Sequence, residues 1–175
     1  MFFPVGEFNT VFLIYAIMKT LYIVRHAKTN SNIDDIARQL LPLGIERTHM
    51  LGKYLVKNNC TVDIIHTSTA LRAIQTCRIL AEHLQVPAQN IIEEPDLYTG
   101  TSEHYIYTIV GQDNQINSSM IIGHNPQVST LAQFFIPDFS HYMQTGACFC
   151  IDFETDKWEE IFTSTRVVRF YVRLT

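Results

Sequence analysis

The 175-residue chain lacks the features that define several large classes of protein. Its apolar run at residues 11–17 is far shorter than the roughly 20 residues that a membrane-spanning helix needs. Charged residues make up 17% of the chain and the formal net charge is -4, so we expect no nucleic-acid partner. Internal repeats and low-complexity segments are absent as well. Hydrophobic residues make up 47%, which is enough for the core of one domain.

Paired cysteines of the kind that bind zinc are also missing. The four cysteines are Cys60, Cys77, Cys148 and Cys150, and none of their spacings is C-x-x-C. Cys148 and Cys150 are two residues apart and would share one face of a strand, so they could not easily bind a metal together with the other two. We predict buried thiols in a reducing compartment, which favours the cytoplasm, and no metal site.

The first residues differ from the rest of the chain. Residues 11–17 are apolar, and residues 1–17 carry a single charge, at Glu7. They lack the positive start and the small-residue cleavage site of a secretory signal. Because Met18 is a natural starting residue, we interpret 1–17 as an N-terminal extension outside the core and 18–175 as a single domain. A short peripheral membrane anchor is the alternative; otherwise we expect no membrane partner.

From residue 21 onward, short apolar runs alternate with stretches in which apolar residues have helical spacing. Strands are predicted at 21–24, 62–66, 90–93 and 120–122, and helices at 44–57, 70–84, 102–110 and 127–135. Two further strands are predicted at 147–153 and 158–174, joined by a turn at 154–157. This alternation predicts an α/β fold, a three-layer α/β/α sandwich with a mostly parallel sheet. The last two strands would add an antiparallel edge.

Three polar segments directly follow predicted strands. Arg25 and His26 follow the first strand, a segment from Ser68 to Arg72 follows the second, and His124 follows the fourth. Since parallel strands end at the same edge of a sheet, these side chains should converge in one crevice. Two arginines with forked donors and two imidazoles suit a tetrahedral dianion such as a phosphoryl group, with one imidazole free to attack.

These segments resemble the signature of the histidine phosphatase superfamily (phosphoglycerate mutase-like, branch 1). That signature has R-H-G or R-H-A after the first strand, S-x-x-x-R-x-x-Q-T at the second helix and G-H after a later strand. The chain reads Arg25-His26-Ala27, Ser68 through Arg72 to Gln75-Thr76, and Gly123-His124 at these places. Within the superfamily, it is most similar to SixA-type phosphohistidine phosphatases, on the evidence of Arg25 to Lys28, Arg38 to Gly44 and Gly123 to Pro126.

The resemblance implies a role for each matching residue. His26 would attack phosphorus and form a covalent phosphohistidine that water then hydrolyses. For this the ring must be neutral, with its other N–H held by an acceptor such as a backbone carbonyl. Arg25, Arg72 and His124 would hold the phosphoryl oxygens and offset the charge that builds up during transfer. No metal and no cofactor is implied.

Residues around the first motif have weaker support. Thr29 and Asn32 fall at positions where related proteins contact phosphate. Lys28 and Arg38 are either solvated charges or residues that shape the pocket mouth for an acidic phosphoprotein. Of the remaining histidines, His66 lies nearest to a motif.

A general acid is missing from the pattern. Superfamily members that cleave phosphoesters place a carboxyl group after the third strand to protonate the alcohol leaving group, and the resemblance puts Thr99 there. Glu94, Asp96 and Glu103 lie nearby but fit the register poorly. An alkoxide needs a proton, which contributes about 10²–10⁴-fold in rate, whereas the imidazole of phosphohistidine leaves more easily. The missing acid favours a phosphoramidate substrate, or a slow phosphatase of broad specificity.

The sequence as a whole predicts a cytoplasmic enzyme, a phosphatase that acts on phosphohistidine. Its partner would be a phosphorylated protein, for example a histidine phosphotransfer domain. A phosphomonoesterase or mutase acting on a small phosphorylated metabolite is the nearest alternative within the superfamily. A phosphate-binding module without turnover is the alternative from another class.

Overall fold

The computed structural model describes residues 18–30 and 34–174, within which six strands form one mixed sheet. The strands are β1 (Lys19–Arg25), β2 (Ile64–Ser68), β3 (Ile91–Glu94), β4 (Ser118–Gly123), β5 (Ala147–Phe153) and β6 (Arg166–Arg173). Their order across the sheet is β3-β2-β4-β1-β5-β6. The predicted extension at 1–17 and the predicted phosphate contact Asn32 lie outside the described residues.

Strands β1 to β4 run parallel, whereas β5 is antiparallel to β1 and β6 is antiparallel to β5. This confirms the predicted sheet, mostly parallel with an antiparallel end. In the parallel part Arg25 is opposite Gly123 and Ser68 is opposite Glu94. The last residues of β1, β2 and β4 therefore lie on one side of the sheet, which we call the carboxyl edge. The polar segments that follow these strands all start there.

Helices cover both faces of the sheet, which confirms the predicted three layers. They are α1 (Pro42–Lys57), α2 (Leu71–Leu84), α3 (Asp96–Thr99), α4 (Ser102–Val110) and α5 (Gln127–Phe135). α1 and α2 pack together and share one core with Tyr22 and Val24 of β1. α4 and α5 share the other core with Leu21 and Ile23. None of the helices in the described part of the chain is long and apolar enough to cross a membrane.

β1 lies at the centre of the fold because both of its faces are buried. Residues 21–24 are each at most 1% exposed and alternate between the two cores. Burying an aliphatic side chain of this size contributes about 1.5–3 kcal/mol. A continuous apolar run of this kind is typical of a strand covered on both sides. The strand is therefore rigidly placed, and it delivers the residue that follows it, His26, to the carboxyl edge.

The last strand is shorter than the sequence predicts. Residues Trp158–Glu160 form a short 3-10 helix and β6 begins only at Arg166, so the predicted start at 158 is wrong. The Trp158 ring is fully buried, and its Nε1 donates to the carbonyl of Ile116 at 2.9 Å. Anchoring this ring beside the start of β4 diverts the chain before it can pair with β5. The short helix α3 is also absent from the prediction, because four residues after Pro95 are too few to show a periodicity.

Candidate active site

The three polar segments meet at the carboxyl edge. The ring centroids of His26 and His124 are 4.9 Å apart, and Nε of Arg72 is 3.3 Å from Nε2 of His26. Arg25 ends β1 next to His26, and its charge acts on both imidazoles. The structure thus brings together the four residues that the sequence predicts as the centre of the site.

His26 is held in one tautomer. Its Nδ1 lies 2.7 Å from the carbonyl oxygen of Ala27, and only a protonated Nδ1 can donate to that oxygen. Nε2 is then unprotonated and accepts the N–H of Arg72. Burial is the main cause that lowers the pKa of His26 to about 3, and the charges of Arg72 and Arg25 act in the same direction. At neutral pH the ring therefore presents a lone pair on Nε2 beside a guanidinium.

The loop that follows β1 is tied to α2. The amide of Ala27 donates to Oγ1 of Thr76 at 3.1 Å, and that hydroxyl donates to the carbonyl of Arg72 at 2.8 Å. Oε1 of Gln75 accepts the amide of Leu40 at 2.8 Å. Gln75 and Thr76 therefore join the segments around Leu40 and Ala27 to α2, the helix that also carries Arg72.

His124 is held by Ser68. Its Nε2 is 2.7 Å from Oγ of Ser68, and that oxygen also accepts the amide of Ala70 at 3.2 Å. We assign the hydroxyl as the donor to Nε2, which places the imidazole proton on Nδ1. This Nδ1 is buried and has no hydrogen-bond partner among the described residues. Burial, followed by the neighbouring His26 and Arg72, lowers the pKa of His124 to about 3, so the ring is a neutral donor.

The glycine before His124 is required by the packing of a tyrosine. A Cβ at Gly123 would lie 2.2 Å from the hydroxyl oxygen of Tyr105. That hydroxyl donates to the carbonyl of Leu97 at 2.6 Å and accepts the amide of His124 at 3.3 Å. Tyr105 of α4 therefore fixes the end of β4 against α3, and any larger residue at Gly123 would displace this link.

Arg25 is only partly satisfied by the protein. Its Nη1 donates to the carbonyl of Met143 at 2.8 Å, and the same carbonyl accepts Nδ2 of Asn125 at 2.9 Å. Its Nε is buried and has no partner within the part of the chain that is described. Burial, with the charge of Arg72, lowers the pKa of Arg25. Two like charges held close together in this way are suited to an anion.

Two tyrosines that the sequence analysis does not identify border the site. The Tyr98 ring lies 5.7 Å from the His124 ring and 5.8 Å from the guanidinium carbon of Arg72. Tyr142 is 66% exposed and lines, with Arg25, a cleft of about 390 Å³. Both belong to segments between motifs, where the sequence carries no sign of their position.

A carboxylate that the sequence analysis also misses reaches Arg72. Asp35 lies in a 3-10 helix, Asp35–Ala37, and its Oδ2 accepts Nη2 of Arg72 at 3.0 Å. Its backbone carbonyl accepts Nη1 of the same arginine at 2.5 Å. Oδ2 also accepts the hydroxyl of Tyr98 at 3.0 Å, and Oδ1 pairs with Arg38. The contact joins residues 37 positions apart, so only the fold reveals it.

The residues with weaker sequence support lie around this cluster. Thr29 is half-buried and forms a β-bridge with Leu40, so its contact with phosphate stays a prediction. Lys28 is exposed, whereas Arg38 is engaged by Asp35. Of the two charges considered for the pocket mouth, Arg38 is therefore the one that the structure connects to the site.

The three carboxylates considered as general acids make no hydrogen bond to the central four residues in the described structure. Oε1 of Glu94 is 3.2 Å from Nδ1 of His66, and Glu103 accepts the hydroxyl of Thr101 at 2.9 Å. Asp96 begins α3. No cluster of three or more metal-ligating side chains occurs among residues 18–30 and 34–174. The arrangement combines a neutral imidazole whose Nε2 is unprotonated with two guanidiniums and a second imidazole, which suits attack on a phosphoryl group.

Comparisons with known proteins agree with this geometry. Residues 21–98 match the family model of the histidine phosphatase superfamily (branch 1). An uncharacterised protein of Mycobacterium tuberculosis is 32% identical over 111 residues, which are 62% of this chain and 67% of that protein. The mitochondrial serine/threonine-protein phosphatase Pgam5 of Caenorhabditis elegans is 30% identical over 88 residues, 50% of this chain and 27% of Pgam5.

Solved structures show the same fold. The protein histidine phosphatase SixA, determined in complex with tungstate, superposes with a TM-score of 0.75 at 18% identity. The match covers 88% of this chain and 96% of SixA. The predicted phosphoglycerate mutase-like fold is thereby confirmed.

Proposed function

The chain belongs to the histidine phosphatase superfamily (branch 1), and from this premise we propose that it removes phosphoryl groups through a covalent phosphohistidine at His26. Membership of the superfamily supports phosphatase activity. The observation that carries the proposal is the hydrogen bond from Nδ1 of His26 to the Ala27 carbonyl, because it leaves Nε2 unprotonated and next to Arg72.

In the first step the lone pair on Nε2 of His26 attacks phosphorus while the bond from phosphorus to the leaving group breaks. The leaving atom keeps the electron pair and takes a proton. Arg72 and the two donors without partners among the described residues, Arg25 Nε and His124 Nδ1, would bind the phosphoryl oxygens. Buried donors placed where charge develops stabilise the transition state strongly, because little water competes with them.

In the second step a water oxygen attacks the phosphohistidine and the bond between phosphorus and Nε2 breaks. Inorganic phosphate leaves, and His26 returns to its neutral form. The lowered pKa of His26 helps here, because the departing nitrogen is stable without a proton. The Ala27 carbonyl keeps the Nδ1 proton in place through both steps.

We propose phosphohistidine on a protein, such as a histidine phosphotransfer domain, as the substrate. Glu94, Asp96 and Glu103 make no hydrogen bond to the four central residues in the described structure. Asp35 does reach Arg72, but its pKa is lowered, so it has no proton to give to an alcohol leaving group. The imidazole of phosphohistidine needs less help to leave. SixA, which shares the fold, is a protein histidine phosphatase, and its tungstate complex shows that it accepts a tetrahedral oxyanion.

A phosphoester substrate is the second candidate function. It is favoured by the sequence similarity to Pgam5, a serine/threonine-protein phosphatase. The two candidates differ in what they demand of the site, because only the ester requires protonation of an alkoxide.

Initial rates on a phosphohistidine protein and on a phosphoserine peptide test the proposal. We expect faster turnover of phosphohistidine, and a loss of about 10⁴-fold or more for both substrates in His26→Ala. Faster turnover of phosphoserine would replace the proposed substrate with the ester. Wild-type rates in His26→Ala would contradict the mechanism.

Trapping of the intermediate provides the matched control. A rapid base quench, under which phosphohistidine survives, should show phosphate on residue 26 by mass spectrometry. The variant His141→Ala replaces an exposed histidine and should still form the intermediate, whereas His26→Ala should not. Thermal unfolding of both variants would show that the loss is not a loss of fold.

A further inference from the structure

All three nitrogens of the Arg72 guanidinium donate hydrogen bonds within the protein. Nε donates to Nε2 of His26 at 3.3 Å, Nη1 to the Asp35 carbonyl at 2.5 Å, and Nη2 to Oδ2 of Asp35 at 3.0 Å. An arginine binds phosphate through two parallel N–H groups. Asp35 thus takes the two Nη donors that a phosphoryl group attacked by His26 would use.

The Asp35 carboxylate is held as an anion. Burial on its own would raise the pKa of this carboxyl group, but the hydrogen bond from Tyr98 and the charges of Arg72 and Arg38 outweigh it and lower the pKa. The side chain is nevertheless 52% exposed. It can therefore swing into water, and the buried guanidinium of Arg72 would then be paired with the incoming phosphoryl group instead.

We propose that the Asp35 carboxylate is an internal competitor for Arg72, which the phosphoryl group must displace before transfer to His26. The inference rests on the proposed function, since it concerns the same phosphoryl site. It assigns to Asp35 a role in selecting anions rather than in the chemical step.

A phosphoryl group can win this competition because it satisfies more donors than Asp35 does. The carboxylate leaves Arg25 Nε and His124 Nδ1 without partners in the described structure. A tetrahedral dianion has enough oxygens to reach both of them as well as Arg72. An anion that engages Arg72 alone gains little over Asp35 and should bind poorly.

Calorimetric titration with tungstate, a tetrahedral dianion, tests the competition without any turnover. We expect Asp35→Asn to bind tungstate about threefold to tenfold more tightly than the wild type, since an ion pair whose carboxylate is half in water is weak. Asp34→Asn is the matched control, because it removes the same charge one residue earlier from an exposed side chain that makes no cap hydrogen bond. It should change the affinity less than twofold.

Equal or weaker tungstate binding by Asp35→Asn would overturn the inference. Tighter binding by both variants would overturn it too, because the effect would then be one of general charge. A fall in kcat without tighter binding would make Asp35 a positioning residue for Arg72 and would also contradict the competition. If Asp35→Asn binds tungstate more tightly but the wild type turns over neither substrate, the proposed function fails while the competition stands.

Discussion

Buried polar groups at the two ends of the parallel strands differ in how completely they are hydrogen-bonded. At the amino end, Nζ of the buried Lys19 donates to the carbonyls of Asn114 and Ile116 and to the side chain of Asn117, at 2.6, 2.8 and 3.1 Å. Nearby, Oδ2 of Asp63 accepts two backbone amides, at 2.9 and 2.8 Å. The buried ammonium of Lys19 is therefore matched by three acceptors.

At the carboxyl edge, by contrast, the charges of Arg25 and Arg72 act on each other and two histidines are buried. Donors on Arg25 and His124 have no partner among the described residues. Unmatched buried donors cost stability, and like charges held together add to that cost. We infer from this difference that the matched polar groups stabilise the fold, whereas the unmatched ones are available to a ligand. Three changes would test it, beginning with the largest expected effect.

Replacing Arg72 by lysine should affect activity much more than stability. Lysine keeps the charge but loses the fork that binds two oxygens. We expect kcat/KM to fall about 10²–10³-fold, as for the loss of a transition-state donor, with a nearly unchanged melting temperature. Arg78→Lys, at an exposed position of the same helix, should retain full activity. Equal activity of the two variants would remove Arg72 from the site.

Replacing Lys19 by methionine should have the reverse effect. The substitution keeps the apolar stem but leaves the carbonyl of Asn114 without its donor. We expect a loss of about 2 kcal/mol in the free energy of unfolding and unchanged kcat/KM, measured by urea unfolding and initial rates. A large fall in activity with normal stability would contradict the division between the two ends.

The carboxyl edge should also be a source of instability in acid. The pKa of His26 is about 3 in the folded protein and about 6.5 when unfolded. Between these values the unfolded chain binds more protons, so stability falls as the pH drops from 6.5 toward 3. Each such histidine contributes a slope of up to about 1.4 kcal/mol per pH unit. Urea unfolding from pH 7 to 4 should show a shallower slope for His26→Asn, whereas His141→Asn should keep the wild-type slope.

The parts of the fold that follow from local sequence are the ones that the sequence predicts well. The buried runs of β1 and β4 and the helices that follow them are visible as periodicity. Three of the four central site residues stand at a strand end or just after one, and Arg72 stands in the first turn of α2. The start of β6 could not be placed, because the anchoring of Trp158 depends on the distant carbonyl of Ile116. Asp35 and Tyr98 could not be assigned to the site either. Their contacts with Arg72 exist only after the chain has folded.

The hydroxyl of Thr76 carries a consequence for protein engineering. It accepts the amide of Ala27 and donates to the carbonyl of Arg72, so the loop after β1 and helix α2 are joined at one oxygen atom. The distance between His26 and the guanidinium of Arg72 is therefore a property of this junction rather than of either motif alone. To build this site on another parallel sheet, a designer would have to transfer the Arg-His-Ala tripeptide together with the helical turn from Arg72 to Thr76, because the Thr76 hydroxyl holds the two in place.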